Sequence, residues 1–183
     1  MLFILLTGMP GSGKSIFVDI VRNEFKIPVY SMGDIVREEV YGKKRDVTPR
    51  DMLNTAIELR ERFGLDIIAR RVYERVDKTH RVVVIDGVRS IHEVDFFRNR
   101  GETVIIAIHA SPLTRFNRLI NRNRPGDPRN WDEFRARDEI ELSLGIGNVI
   151  ALADYILVNE SSIEDFKESI RKLLSKILVE KGI

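Results

Sequence analysis

Apolar positions along the chain follow two different periods. Leu2-Phe3-Ile4-Leu5-Leu6, Val82-Val83-Val84-Ile85 and Thr103-Val104-Ile105-Ile106-Ala107-Ile108 are unbroken apolar runs rich in branched residues. Such runs predict strands buried on both faces of a parallel sheet. Ile27-Pro28-Val29-Tyr30 and Tyr155-Ile156-Leu157-Val158 add two shorter strands, with Pro28 near the start of the first, where a missing N–H is tolerable. Between them the period changes to three and four. Ile16, Phe17, Ile20, Val21 and Phe25 predict a helix ending near Lys26. Thr48, Pro49 and Asp51 form a helix start whose pattern runs to Phe63, and after Gly64 a second face continues through Leu65, Ile68, Ala69, Val72 and Val76. Ser90 to Arg100 reads as a helix closed by Gly101, and Leu113, Phe116 and Ile120 form the stripe of another. Gly145 and Gly147 loosen the stretch before the last strand. Ser162 with Asp165 then opens a terminal helix whose buried stripe is Ile163, Phe166, Ile170, Leu173, Leu174 and Ile177. Alternating strands and helices of this kind predict one α/β domain over residues 1–183: a three-layer sandwich, mostly parallel, with helices on both faces.

Composition narrows the class. The chain has 183 residues, enough for a self-sufficient core, and no cysteine, which excludes disulfides, thiolate metal sites and cysteine nucleophiles. The apolar start lacks a basic region and is too short for a signal sequence, and no apolar run approaches a membrane span. A cytoplasmic protein without membrane partners is the expectation. Net charge is +2 with 32% charged residues, so both signs are interspersed; this argues against a general polyanion binder, and nucleic acid is not an expected partner. Nothing in the pattern sets an oligomeric state. Glutamine is absent too, and with abundant Arg, Lys and Glu the composition is that of a heat-adapted protein.

The chemistry concentrates after the first strand. Gly8-Met9-Pro10-Gly11-Ser12-Gly13-Lys14-Ser15 is the phosphate-binding G-x-x-x-x-G-K-[ST] loop, here between a buried-type strand and a helix. Its glycines permit positive φ and close approach of backbone N–H groups to an anion. Lys14 can reach the β- and γ-phosphates, and the Ser15 hydroxyl is placed to ligate Mg²⁺. The positive end of the helix dipole adds to the attraction. Nucleoside triphosphate binding follows, with ATP and Mg²⁺ as the expected cofactors. Asp86 ends a central strand and precedes Gly87, which places a carboxylate beside the loop and makes it the candidate for a second Mg²⁺ contact; the alternative is an Asx turn.

Two further segments carry candidates. In Ser31-Met32-Gly33-Asp34-Ile35-Val36-Arg37, Gly33 offers a turn, Asp34 can cap the following helix and Arg37 lies one turn in; Gly42 to Asp46 is then a polar break. From Arg115 to Arg137 stand Arg115, Arg118, Arg122, Arg124, Arg129, Arg135 and Arg137 without a lysine. Arg115, Arg118 and Arg122 share a helix face away from the apolar stripe, and Pro125-Gly126-Asp127-Pro128 breaks the run into a loop. Arginine suits phosphate bidentately, so this helix-loop-helix reads as a lid over nucleotide. The plainer alternative is a solvated face paired with Asp132, Glu133, Asp138, Glu139 and Glu141. His80, His92 and His109 lack metal spacing, and Trp131 reads as packing at the lid edge.

Taken together these segments resemble the P-loop nucleoside-monophosphate kinases, especially the adenylate kinases, over nearly the whole length. Ser31 to Arg37 looks like that family's Ser-Thr-Gly-Asp-Met-Leu-Arg acceptor motif with Met32 in place of threonine, and Asp86-Gly87-Val88-Arg89 is similar to Asp-Gly-Phe-Pro-Arg, one residue shorter. The resemblance implies that Arg37 and Arg89 hold the acceptor phosphate within a helical acceptor segment at about 31–78. It implies a lid at about 118–137, with Arg118 against adenine, and Arg122, Arg135 and Arg137 among its arginines. Of these, Arg122 reaches the transferred phosphate, and Arg137 is a catalytic candidate beside Lys14. It also implies a strand order of 2-3-1-4-5. The tail Ala153 to Asn159 is similar to dephospho-CoA kinases, and the whole looks most like archaeal adenylate-kinase-like proteins. Expected is ATP-dependent γ-phosphoryl transfer to a nucleoside monophosphate, with Asp34 an orienting or Mg²⁺-linked carboxylate. The alternatives are another small acceptor such as dephospho-CoA, or an ATPase switch acting on a protein or ribosomal partner.

Overall fold

The computed structural model describes residues 1–42 and 48–183; the expected polar break at Gly42–Asp46 falls, beyond Gly42, outside them. In chain order the elements are β1 (Leu2–Thr7), α1 (Lys14–Asn23), β2 (Val29–Ser31), α2 (Met32–Tyr41), α3 (Pro49–Phe63), α4 (Ile67–Arg75) and β3 (Val82–Asp86). There follow α5 (Ile91–Arg98), β4 (Glu102–His109), α6 (Pro112–Arg122), α7 (Trp131–Ser143), α8 (Ile146–Ala151), β5 (Tyr155–Val158) and α9 (Ile163–Glu180). The sheet order is β2-β3-β1-β4-β5, and each pairing is parallel. Parallel strands need crossovers, and the intervening helices supply them.

Strand side chains divide by parity, as a period of two requires. Phe3, Leu5, Val83, Ile85 and Ile105 point to the face covered by α2, α4, α5 and α8. Leu2, Ile4, Leu6, Val84, Val104, Ile106 and Ile108 point to the other, where α1 and α9 bury Phe17, Ile20, Val21, Phe166, Ile170 and Leu174. Both faces are therefore dry, which accounts for unbroken apolar runs in place of alternation. The register sets Asp86 level with Leu6 on one side and Ser31 on the other, so three loops open at one end of the sheet.

Local differences from the sequence reading have local causes. β2 begins at Val29 because Pro28 cannot donate; its carbonyl still accepts from the Val84 N–H at 2.9 Å. Asp34 does not cap α2: Ser31 holds the N-cap position, and Asp34 lies in the first turn paired with Arg37. Thr48 caps α3 as expected, in a reciprocal box with Asp51, and Ser90 forms the same box with Glu93. At α9 only half of the box forms, with the Ser162 hydroxyl accepting from the Asp165 N–H, and Ile163 stays 60% exposed outside the stripe.

Candidate functional site: two clefts with a common wall

β1 runs into the phosphate loop, and three of its glycines carry the positive φ the turn demands: 143° at Gly8, 81° at Gly11 and 109° at Gly13. Space is as restrictive as angle. A Cβ on Gly8 would run into the Ile108 carbonyl, one on Gly13 into the Asn159 amide, and one on Gly11 would sit 2.9 Å from the Arg115 carbonyl. Gly13 begins α1 with no side-chain cap, which leaves first-turn N–H groups free for an anion. The loop is braced from outside. Arg115 is buried and lines neither cleft, so it is neither a lid arginine facing nucleotide nor part of a solvated face: it donates to Pro10 O at 3.2 Å and forms a two-pronged pair with Asp138 at 2.8 and 2.5 Å. Asn159, also buried, donates from Nδ2 to Ser12 O at 2.8 Å and accepts from Arg118 at 3.0 and 3.3 Å.

In front of the loop lies a cleft of about 680 Å³ whose walls include Lys14, Ser15, Asp34, Asp86, Arg118 and Arg122. Lys14 folds back to donate to the Gly8 and Met9 carbonyls. Burial pushes its amine down to about 8, against the opposing pull of Asp86. Burial also raises the Asp86 carboxyl above its ordinary range, although Lys14 and Arg89 draw it down. Ser12 Oγ, Asp86 Oδ1 and Arg118 Nη1 are buried polar atoms without a hydrogen-bond partner. Buried polar atoms are almost always paired, so three orphans around one phosphate loop fit a site completed by a ligand. The donor set suits a Mg–nucleotide: a hydroxyl at Ser15, a carboxylate at Asp86, and among the described residues no cluster of three or more His, Asp or Glu that would cage a metal alone.

A second cleft of about 1070 Å³ lies between α2, α3 and α7, lined by Met32, Val36, Arg37, Met52, Arg60 and Ile140 among others. Arg37 stands here, paired with Asp34 one turn earlier on α2. The two clefts share Arg89, Arg137 and Glu141. Arg89 donates from Nε to Glu141 at 2.8 Å. Burial opposes ionisation of Glu141, but the charge and hydrogen bond of Arg89 outweigh it and hold the carboxyl below its ordinary range. On the lid side, Asp127 accepts from Arg122 at 2.8 and 2.5 Å and from Arg137 at 3.4 Å, so one carboxylate gathers two arginines. Trp131 packs its ring 5.1 Å from those of Phe116 and Phe134, as a packing residue does.

The predicted residues thus come together in two groups: the loop with Ser15, Asp34, Asp86, Arg118 and Arg122 around the smaller cleft, and Arg37 in the larger, with Arg89 and Arg137 in both. Sequence reasoning missed Asn159 as a brace and Asp127 as a hub, for which no spacing exists. Glu141 was legible only as one of five acidic residues that could pair with the arginine run, not as the partner of Arg89.

A family model described as an AAA domain matches residues 7–135. The chain is 51% identical over 177 residues to a UPF0200 protein of Hyperthermus butylicus, covering 96% of this chain and 95% of that protein. It is 45% identical over 181 residues to a UPF0200 protein of Methanocaldococcus jannaschii, covering 97% and 91%. Such relatives are archaeal and thermophilic, in line with the heat-adapted composition. Among solved structures, a shikimate kinase from Bacteroides thetaiotaomicron superposes with a TM-score of 0.60 over 96% of this chain and 98% of that one. At 16% identity that likeness is of fold alone.

Proposed function

The chain belongs to the AAA domain family and to the UPF0200 proteins, and from that premise we propose that it is an ATP-dependent kinase transferring the γ-phosphoryl group to a nucleoside monophosphate. The observation that carries this reading is the shared wall: a cleft built on a phosphate loop meets a second, larger cleft at Arg89, Arg137 and Glu141. Two anions must be brought together for in-line transfer, and a pair of arginines between two clefts suits that need. In this reading the loop N–H groups and Lys14 hold the β- and γ-phosphates, and Arg118 flanks the base. Arg122 and Arg137 leave Asp127 to meet the transferred phosphoryl, while Arg37 and Arg89 hold the acceptor phosphate. Ser15 and Asp86 would hold Mg²⁺, which supplies charge neutralisation on the β- and γ-oxygens. The acceptor needs no strong base, because a phosphomonoester with a second pKa of about 6 is already largely dianionic at neutral pH. Asp34 then orients Arg37 through their ion pair.

The volume of the larger cleft favours a second reading. At about 1070 Å³ it reaches the top of the range of about 300–1,000 Å³ usual for small-molecule sites. A longer acceptor such as dephospho-CoA would use that space. Coupled assays with AMP, CMP, UMP, GMP and dephospho-CoA separate the two, with Lys14→Met as the control. The expected result is turnover with one monophosphate that Lys14→Met lowers by more than about tenfold, as fits a group contributing several kcal/mol to the transition state. ATP hydrolysis that no acceptor stimulates would overturn the kinase assignment and leave the ATPase switch.

A further inference from the structure

Arg89 is held in an unusually directed way. It follows the Asp86-Gly87 turn, which is pinned to β1 by the Gly87 and Val88 N–H groups donating to Leu6 O at 3.0 and 3.2 Å. Its own backbone N–H donates to Glu93 Oε2 at 2.8 Å. The guanidinium then spends Nε on Glu141 Oε2 at 2.8 Å and Nη1 on the Gly87 carbonyl at 3.2 Å. Among the described residues no hydrogen bond is recorded for Nη2, on a side chain that is 30% exposed and lines both clefts. A planar fork with two nitrogens fixed cannot rotate, and the third is aimed.

The residue that fixes it belongs to the lid side. Glu141 lies on α7 four positions after Arg137, which puts both on one helix face. Arg137 in turn reaches Gly126 O and Asp127 in the loop before α7, both at 3.4 Å. We propose that Glu141 is a positioning residue that aims Arg89 Nη2 at the junction of the two clefts and ties acceptor binding to the placement of α7. This rests on the larger cleft being the acceptor site. Glu141 itself touches no reacting atom. Any shift of α7 that carries Arg137 toward the donor phosphates carries the Arg89 tether with it, so acceptor affinity depends on the state of the lid.

The test is a double-mutant cycle on the full chain, with AMP as the probe titrated in the presence of a non-hydrolysable ATP analogue and Mg²⁺. Glu141→Ala should weaken AMP by about tenfold or more, the size of one charge-assisted hydrogen bond, while the analogue binds within about twofold of wild type. In an Arg89→Ala background the same change should add less than about twofold, because Glu141 acts only through Arg89. Glu141→Gln keeps the shape and an acceptor oxygen but not the charge; it should fall between, and it serves if the alanine variant fails to fold. A second readout needs no nucleotide. The Arg89 Nε–Hε resonance, assigned through Arg89→Lys, should move in Glu141→Gln. Fully additive losses, an unmoved resonance, or wild-type affinity in Glu141→Ala would each overturn the positioning role alone. Wild-type protein that binds none of the monophosphates would instead overturn the acceptor reading, and the role with it.

Discussion

Lys14 carries a charge that burial disfavours, and its chemistry sets two opposite pH responses. Its pKa is about 8 in the folded chain against 10.5 when exposed, because burial disfavours the ammonium. Between those values the unfolded chain binds more protons, so this group's contribution to stability rises with pH through the window. Its destabilising effect is fully present below pH 8. Binding runs the other way, since only the ammonium attracts phosphate. ATP affinity should therefore fall as pH rises past about 8, and binding near pH 8.5 should take up a proton. Calorimetric titrations in two buffers of different ionisation enthalpy detect that proton; a flat affinity from pH 7 to 9.5 with no uptake would sink the expectation. Asp86 answers to a different probe. Asp86→Asn preserves shape and removes the charge facing Lys14, so the Mg²⁺ midpoint for activity should shift upward severalfold. An unchanged midpoint and rate would reduce Asp86 to the turn residue at the end of β3.

Among the elements, α3 and α5 are joined by the most enclosed ion pair of the described residues. Glu93 is 0% exposed and accepts from Arg60 at 2.6 Å, from the Arg89 N–H at 2.8 Å and from the Ser90 N–H at 3.2 Å. One carboxylate thus serves as helix cap, as anchor for the turn bearing Arg89, and as partner of a cation on the wall of the larger cleft. Glu93→Ala should cost about 3–5 kcal/mol, because it leaves the Arg60 charge buried and unpaired and two N–H groups without acceptors. At about 2–4 °C per kcal/mol for a chain of this size, the melting midpoint should drop by roughly 6–20 °C. Replacing both partners by Met and Leu should recover only the part due to the stranded charge, since the Arg89 and Ser90 N–H groups still lack an acceptor. A single-mutant loss below about 1 kcal/mol in denaturant unfolding would mean that water reaches the pair. How much of this was legible follows from the kind of constraint involved. Strands buried on both faces announce themselves as apolar runs, and the phosphate loop announces itself because only glycine tolerates φ of 81° to 143° against the Ile108, Arg115 and Asn159 atoms. Asp138 was legible as one of five acidic partners for the arginine run, but the spacing of Arg115 does not say that this pair would be buried behind the phosphate loop. Asn159, Asp127 and Glu141 owe their roles to partners brought together by the fold, and pairings of that kind leave no period in the chain.

Taken as a whole molecule, the described chain sets two clefts at one end of a five-stranded parallel sheet, with a common wall at Arg89, Arg137 and Glu141. The floors rest on β1 and β3, with both faces of the sheet dry. α7 supplies two of the three wall residues and is held by Phe134, buried against Phe116, and by ion pairs: Arg89 with Glu141, Arg115 with Asp138, and Arg137 with Asp127. Ligands in both clefts should therefore cooperate, each favouring the arrangement of α7 that the other uses. A molecule that occupies both at once tests this without turnover. Two adenosines joined through five phosphates present a donor, an acceptor and the bridge between them, and pay the cost of association once. At 100 times its Kd such a ligand stabilises the folded state by about 2.7 kcal/mol, which for this length is a rise of roughly 5–11 °C in melting midpoint. Its Kd should lie well below that of ATP. Thermal shifts with the linked compound, with ATP alone and with AMP alone, each in Mg²⁺ and at equal concentration, make the comparison. A shift for the linked compound no larger than that of ATP would mean that its second adenosine finds no seat, and that the acceptor of the larger cleft is not an adenosine monophosphate.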